Sequence, residues 1–563
     1  MSSWFTIIIA SMIFAAVSIL ISDLYVRIAS ATTILIFVIF LFLSAISTWD
    51  MFNAPDYRAI LGNVKEANFT QDIAPVNPSQ IRIVDADMAR QLGGKKLGED
   101  PGLGSRVEIG TFEIQKIKDQ LYWIAPLNHS GYFVWLNHSS VGTPGYIKVS
   151  ATNPDDVKLI QTAGNEKISI KYQPGAFFSQ DLYRHIYLNG YMMRGFTDMT
   201  FEVDDDGKPF WIVSLYEHKV GFSGEDVTGI LTVNPETGEI KEYSMDEVPE
   251  WIDRVQPESF IHNQINDWGE YIHDYWNAVF SKQDILKSSS SRDESGNHTL
   301  RLVYGNNGKS YWYSGLTSTG GDKSTVGFLL VDSRTKEVFR YNVSGATESA
   351  AESSAEGAAQ QYGYDATSFI PYNVAGHVSY IGPLKDTGGL IKGVAIVNMQ
   401  NYNIVTWGEN ISEAIRSYKG KLANSGNAAL VSSLIDRKTF DGNVDRFVSD
   451  TKTGNSAYYM IISSKEGYIF RSDSSTNPKL PLTKVGDKVR ISYTETGSGI
   501  VDIDDFDNLS IKLKLSEPEE KKLDQFKSVK TENVVKENEK ELDARIQKMT
   551  PEEKSKLLES VKK

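Results

Sequence analysis

Two long apolar runs open the chain and form its strongest hydrophobic pattern. Residues 5–22 and residues 28–48 contain no charged residue, and each is close to the ~20 residues with which a helix crosses the hydrocarbon core of a bilayer. Trp4 and Trp49 flank the runs in the way that interfacial aromatic residues do. The pattern predicts two transmembrane helices joined by a turn at residues 23–27. A signal peptide is the alternative, but it normally begins with positive charge, which this chain lacks.

Three later segments share one spacing of apolar and polar positions. In each, an apolar run ends at an Asn or Asp, two residues intervene, and a short alternating strand leads to an aromatic residue. The segments are residues 229–243, 327–341 and 393–407, with Val233, Val331 and Val397 at the matching position. Since an Asn or Asp side chain can bond its own backbone where the chain reverses, each segment predicts a β-hairpin. We expect the three valines to be buried at equivalent places.

The strands upstream of these hairpins also match. Residues 206–212 and 307–313 share a turn followed by an aromatic strand, and residues 122–127 and 380–384 are weaker copies. Helical periodicity appears between them. The predicted helices cover residues 86–97, 247–278, 346–362 and 412–422, the last with Ser412 as its N-cap.

These elements predict an α+β fold in which each unit combines a helix with an antiparallel meander. We predict a linker over residues 51–79 followed by four such units. The units cover residues 80–160, 165–245, 246–345 and 346–425.

The hairpin that ends these predicted units resembles the end of a PepSY domain. Residues 233–240 (VNPETGEI) and 331–338 (VDSRTKEV) carry the match, whereas residues 401–403 (NYN) depart from the expected T-G-E. Residues 81–89 open the first unit as a short strand that runs into a helix, as such domains begin. The resemblance implies non-catalytic binding or inhibitory modules, which occur in protease propeptides and in membrane-anchored bacterial envelope proteins. Large bacterial and phage membrane proteins of unknown function also look similar, which implies no activity.

The C-terminal part of the chain has a different pattern of apolar, polar and charged residues. Short alternating strands predict a small β-barrel of OB or SH3-like type over residues 456–515. Residues 516–563 are rich in both charge signs and predict a charged helical tail, either solvated or a partner-binding arm. The acidic stretch Asp502–Asp507 would repel a phosphate backbone, which favours a structural or protein-facing barrel over a nucleic-acid-binding one.

Composition excludes several classes of function. The 58 Lys and Arg against 72 Asp and Glu give a net charge of −14, which argues against nucleic acid as a partner. The chain has no cysteine, so disulfides, thiolate metal sites and cysteine nucleophiles are excluded. It also lacks an H-E-x-x-H motif, a G-x-S-x-G motif and a Walker A loop. We therefore predict no catalytic, cofactor-binding or metal-binding residue and no cofactor.

Three patterns that contain acidic residues come nearest to a metal site. Glu258 with His262, and Glu270 with His273, lie on one predicted helix, but the pairs are ~16–18 Å apart along its axis, too far for one ion. Asp204–Asp206 resembles the opening of a calcium loop, yet the twelfth position is Leu215 instead of Glu. We interpret this segment as a turn. Asp502–Asp507 is interpreted in the same way, and Ca²⁺ binding at either is left open.

The sequence therefore predicts a membrane-anchored, non-catalytic binding or scaffold protein. It would contact the bilayer through residues 5–48 and bind a protein partner or self-associate. An envelope hydrolase with a carboxylate site is the alternative. The positive charges of Arg58 and Lys65 after the second run favour a cytoplasmic location for the body of the protein. The PepSY resemblance favours an extracytoplasmic location. We therefore predict a two-pass protein of the cytoplasmic membrane with an extracytoplasmic body.

Overall fold

A computed structural model shows two compact units, Met1–Ile435 and Asp436–Lys563. The first predicted span, residues 5–22, lies outside the described residues except at three isolated positions, and the predicted tail, residues 516–563, lies wholly outside them. The described residues are 11, 13, 17, 24–69, 73, 80–118, 120–289, 291–292, 298–305, 308–318, 324–422, 437–452, 455–465, 467–473, 477, 479–494 and 500–511.

Helix α1 (Leu24–Ser47) is the one helix in the described part of the chain that is long and apolar enough to cross a membrane. The turn predicted at residues 23–27 is wrong from Leu24 onward, because that segment has neither Gly nor Pro and is already helical. A two-pass topology is not supported by these residues. By length and composition, α1 suits a membrane anchor or a signal sequence.

The predicted linker, residues 51–79, instead contributes a helix and a strand to the fold. Helix α2 (Asp50–Ile60) buries residues spaced three apart on one face, and strand β1 (Val64–Ala67) joins a sheet. Pro55 lies inside α2 and hid the helical pattern, because proline usually ends or kinks a helix. Strand β1 was missed because four residues are too few to show alternation.

The first region after β1 contains α3 (Ala86–Gly98), α4 (Pro101–Gly104), β2 (Val107–Ile109), β3 (Glu113–Ile117), β4 (Gln120–His129), α5 (Tyr132–His138), β5 (Tyr146–Ser150) and β6 (Val157–Ile160). Its antiparallel sheet has the strand order β2-β4-β5-β6, with β3 also paired to β4.

The second region contains β7 (Thr162–Ala163), β8 (Glu166–Lys167), a 3₁₀ turn (Phe178–Gln180), α6 (Leu182–Ile186), a π turn (Tyr187–Tyr191), β9 (Gly195–Val203), β10 (Pro209–Val220), β11 (Ser223–Val233) and β12 (Ile240–Ser244). Its sheet is also antiparallel, with the strand order β12-β11-β10-β9.

The third region contains α7 (Glu258–Glu270), α8 (Asp274–Trp276), a π turn (Asn277–Ser281), β13 (Leu286–Ser288), β14 (Ser291–Arg292), β15 (His298–Thr299), β16 (Arg301–Tyr304), β17 (Ser310–Ser318), β18 (Ser324–Thr325), β19 (Gly327–Asp332), β20 (Val338–Tyr341) and β21 (Gly345–Ala346). Its sheet has the strand order β1-β20-β19-β17-β13, with β16 also paired to β17 and β1 parallel to β20.

The fourth region contains α9 (Glu348–Ala358), a 3₁₀ turn (Gln360–Tyr362), β22 (Asp365–Ala366), β23 (Ile370–Val374), β24 (His377–Lys385), β25 (Ile391–Asn398), β26 (Val405–Gly408) and α10 (Ile411–Leu422). Its sheet has the strand order β22-β24-β25-β26, with β23 also paired to β24.

The four sheets share one local register. In each, an aromatic residue lies opposite a valine, which in turn lies opposite a β-branched residue of the next strand. The sets are Trp123, Val149 and Val157; Trp211, Val233 and Ile240; Trp312, Val331 and Val338; and Tyr380, Val397 and Val405. All four central valines are fully buried. The three valines singled out in the sequence thus occupy equivalent, buried positions.

The turn after each central valine is also shared. A polar side chain there accepts hydrogen bonds from backbone N–H groups two or three residues later, and the carbonyl of the following residue accepts one from the segment ahead of a helix. The turn residues are Ser150, Asn234, Asp332 and Asn398. The carbonyl acceptors are Ala151, Pro235, Ser333 and Met399, and their donors are the N–H groups of Val84, Tyr172, Gln256 and Ala346. The same backbone hydrogen bond therefore connects each meander to the segment that precedes the helix of its own sheet region.

Helix boundaries differ from prediction at three helices. The helix predicted over residues 247–278 begins at Glu258, because Pro249 and Pro257 disfavour helical geometry in the residues before them, and it ends at Glu270. The helix predicted over residues 346–362 is shorter and covers Glu348–Ala358. The cap of α10 is Asn410, whose Oδ1 accepts from the Glu413 N–H at 3.0 Å, instead of Ser412.

The second unit contains a closed five-stranded barrel with the order β27-β28-β29-β31-β30. Its strands are β27 (Arg437–Lys452), β28 (Asn455–Ile462), β29 (Ile469–Asp473), β30 (Lys488–Thr494) and β31 (Ile500–Asn508). Five strands is the number in an OB fold. The barrel begins about 20 residues before the predicted start at residue 456, because the long strand β27 is mostly polar and shows no clear alternation.

Candidate functional site

Helix α1 meets the body of the first unit at a neck around residues 47–49. The Tyr57 hydroxyl of α2 donates to the Thr48 carbonyl at 2.7 Å. The turn between β10 and β11 also touches the helix: a Cβ on Gly221 would lie 2.7 Å from the Ser47 carbonyl oxygen. The next ring, that of Phe222, lies 6.2 Å from the ring of Phe40. The body thus contacts the last two turns of α1.

An acidic cleft of about 250 Å³ lies beside the neck, between α2, the start of β11 and α7. Helix α7 lines it with residues spaced i, i+3, i+4 and i+7, which share one helix face. These residues are Phe260, Asn263, Gln264 and Asp267. Asp50 and Glu225 complete a set of three carboxylates, and none of the described lining residues is Lys or Arg. The cleft therefore favours cationic or hydrogen-bond-donating groups.

Two observations define the chemistry of the acidic cleft. Burial, followed by the charges of Asp50, Glu270 and Glu225, raises the pKa of Asp267 to about 7. Gln264 is 3% exposed and its Nε2 donates to the Glu225 carbonyl at 2.8 Å. The Oε1 of Gln264 has no hydrogen-bond partner in the described part of the chain. The cleft thus contains a carboxyl group that titrates near neutral pH and a buried acceptor without a hydrogen-bond partner among the described residues.

An aromatic surface lies on α5 and the 3₁₀ turn that follows Phe177. Phe133 is 77% exposed and Phe178 is 60% exposed. The remaining members of this aromatic surface are Tyr132, Leu136 and Val141, all exposed. Phe178 has a φ of +54°, which is sterically costly for a bulky side chain, and its ring lies 5.7 Å from that of Trp135. The fold thus holds apolar rings toward solvent at a conformational cost.

A network of charged side chains joins the first three sheets. Arg254 pairs with Glu113 at 2.5 Å and with Asp198 at 3.1 Å. The backbone N–H of Asp253 donates to Glu202 at 3.1 Å. Burial, and then the charge of Asp253, raises the pKa of Glu202, and burial raises the pKa of Asp253 to about 6. This network fills space between sheets, so we assign it to stability.

The Glu and His residues considered from sequence have other partners. Glu258 accepts from the Leu300 N–H at 2.7 Å, and His262 contacts Asn266 at 3.0 Å. Glu270 pairs with Lys287, while His273 lies 3.0 Å from Asp284. Within the described ranges, no three or more His, Asp or Glu side chains are placed to hold one metal ion.

The two acidic stretches lie in local structure. Asp204 accepts from the N–H groups of Asp206 and Lys208 in the turn between β9 and β10. In Asp502–Asp507, part of β31, Asp507 pairs with Lys479 at 2.8 Å. The described contacts of these two stretches are those of an ordinary turn and of an ordinary strand surface.

Sequence reasoning missed the acidic cleft and the aromatic surface. The polar residues Asn263, Gln264 and Asp267, which share one helix face, were a usable signal for one wall of the cleft. The other walls come from segments far away in sequence. For the aromatic surface, the paired rings at residues 132–133 and 177–178 were visible, but nothing local showed that they face solvent.

Comparison with known proteins gives no family. No family model matches the chain, and no curated protein matches it. A solved structure described as a BT0996 RGII complex is 10% identical, with 70% of this protein and 88% of that one covered, at a TM-score of 0.16. A glycosyl hydrolase from Bacteroides ovatus is 11% identical, with 71% and 90% covered, also at 0.16. TM-scores this low carry no argument about fold or function.

Proposed function

We propose that this chain is a membrane-anchored, non-catalytic binding protein built from PepSY-like repeats. Helix α1 would be its anchor and the first unit its body, outside the cytoplasmic membrane. In this proposal the body holds a protein, either a different chain or a second copy. The shared register and shared turn of the four sheets support the repeats, and the contacts of Tyr57 and Gly221 with the end of α1 support a retained anchor over a cleaved signal.

The aromatic surface is the observation that carries the binding function. Large apolar side chains that cluster on an exposed face favour protein interfaces, where aromatic residues are enriched. Phe133 and Phe178 are more than half exposed, and the positive φ of Phe178 shows that its outward position is maintained against strain. A partner that covers this face would bury both rings.

The test measures the mass of the detergent-extracted full chain with whatever protein it binds. We expect a complex that is lost in the variant Phe133→Ser with Leu136→Ser. Tyr402→Ser is the matched control, because Tyr402 is 53% exposed in the turn between β25 and β26, away from the aromatic surface in the sequence. A monomeric wild-type chain without bound protein, or a complex that survives the double substitution, would contradict the proposal. The mass also distinguishes a second copy from a different chain.

A second candidate, an envelope hydrolase, is favoured by the acidic cleft. A carboxyl group with a pKa of about 7, as at Asp267, can act as a general acid near neutral pH. A panel of chromogenic glycosides, esters and phosphate esters would then be turned over, with the rate falling as the pH rises through about 7. Asp267→Asn should abolish turnover, and Asp205→Asn, in an exposed turn, should retain it. Absence of turnover, or indifference to Asp267→Asn, excludes this function.

A further inference from the structure

We infer that the body rests on the bilayer through a collar of exposed apolar side chains around the neck. The collar comprises Trp49, Phe52, Phe222, Trp276, Val279 and Phe280, each at least 44% exposed. The occupant of this surface is phospholipid, at the boundary between headgroups and acyl chains. This inference rests on the proposed anchorage by α1 and adds a second, peripheral contact of the folded body with the membrane.

The depth of Phe222 follows from its contact with α1. The ring of Phe222 lies 6.2 Å from that of Phe40 in an edge-to-face arrangement. Phe40 precedes Ser47, the last residue of α1, by seven residues, which is roughly 10 Å of helix axis. When α1 crosses a bilayer, a side chain beside Phe40 enters the bilayer with it. The turn between β10 and β11 therefore inserts its tip.

The segment after α7 supplies another part of the collar. Ala278 is buried with residues of α2 and β10, including Ala54 and Val220. On the other side of the same turn, Phe280 is 75% exposed and its ring stacks on that of Trp276 at 5.7 Å. One side of this segment thus packs against α2 and β10 beside the neck, and the other side exposes apolar rings. This two-sided pattern favours an interfacial segment.

Two residues at the start of α2 extend the collar to α1 itself. Trp49 and Phe52 are 51% and 59% exposed, and their rings lie 5.7 Å apart. Tryptophan next to the end of a span is typical of the membrane interface. Because the collar is continuous with the apolar surface of α1, any other occupant would have to displace lipid around the helix. Lipid is therefore the occupant that the geometry favours over a second copy or a partner.

The absence of cysteine makes a direct test possible in the full chain. Single substitutions Phe222→Cys and Phe280→Cys would carry a spin label in vesicles of phosphatidylethanolamine and phosphatidylglycerol. Val38→Cys reports on α1, and Tyr402→Cys, at an exposed aromatic residue in the turn between β25 and β26, is the matched control. We expect labels at positions 38, 222 and 280 to collide severalfold more with oxygen than with a water-soluble nickel chelate. The label at position 402 should show the reverse.

The outcomes separate the collar from the anchor. A label at position 38 that collides mainly with the chelate would overturn the anchorage and the collar together. Lipid exposure at position 38 with chelate exposure at 222 and 280 would leave the anchor intact and overturn the collar. Protection of 222 and 280 from both reagents would mean that protein covers them, which also overturns lipid as the occupant.

Discussion

Arg254 forms ion pairs with both Glu113 and Asp198 where three sheets meet. Its guanidinium also lies 5.1 Å from the ring centre of Trp312, a distance at which cation–π attraction adds stability. The neighbouring Glu202 is 2% exposed and accepts one backbone hydrogen bond. Burial and the charge of Asp253 raise the pKa of Glu202, which favours the neutral form of this carboxyl group.

These roles predict opposite effects of two substitutions. Arg254→Met should lower the free energy of unfolding by about 3 kcal/mol, the lower end of the range for a broken buried pair, because the three side chains keep 15 to 22% exposure. Glu202→Gln should change little at acid pH. It should become stabilising relative to wild type as the pH rises, because an acid with a raised folded-state pKa loses stability from its unfolded pKa upward.

Denaturant unfolding at pH 5 and pH 8 would check both effects. Glu217→Gln is the control, since the Glu217 side chain is 65% exposed, and it should behave as wild type at both pH values. A Glu202→Gln variant that is as unstable as Arg254→Met would show that the carboxylate is ionised in the folded protein.

At the scale of elements, the shared register places one valine at the centre of each sheet. Val149, Val233, Val331 and Val397 have no exposed surface, and each has strand neighbours on both sides. Truncation of any one to alanine should therefore cost a similar free energy of unfolding, about 1–3 kcal/mol.

This prediction can be measured by thermal or denaturant unfolding of the four variants. Val326→Ala, at a position 41% exposed, is the control and should stay within about 0.5 kcal/mol of wild type. A cost confined to one sheet would contradict the equivalence of the four positions.

Elements with strong local patterns could be predicted from the sequence. The hairpins around Asn234, Asp332 and Asn398 were visible because the turn chemistry is local. Helix α2 and strand β27 were not visible, because Pro55 interrupts the one and mostly polar residues fill the other. In these two cases packing against distant segments decides the structure.

At the scale of the whole molecule, the candidate sites were beyond sequence reasoning for a physical reason. Asp50, Glu225 and Asp267 line one cleft, although each belongs to a different region of the chain. Only the folding of the first unit brings them together, and it also gives Asp267 its raised pKa. Local periodicity carries no information about such convergence. The α+β class, by contrast, needed only the order of elements.

The parallel pairing of β1 with β20 has a consequence for biosynthesis. Val64 pairs with Val338, so about 270 residues separate the partners. At the usual rate of ~5–20 residues per second, a ribosome needs roughly 15–55 s to make that interval. During this time β1, four residues beyond α2, lacks the edge it will occupy. The segment that follows α1 is therefore among the last parts of the first unit to become fixed, long after α1 has left the ribosome.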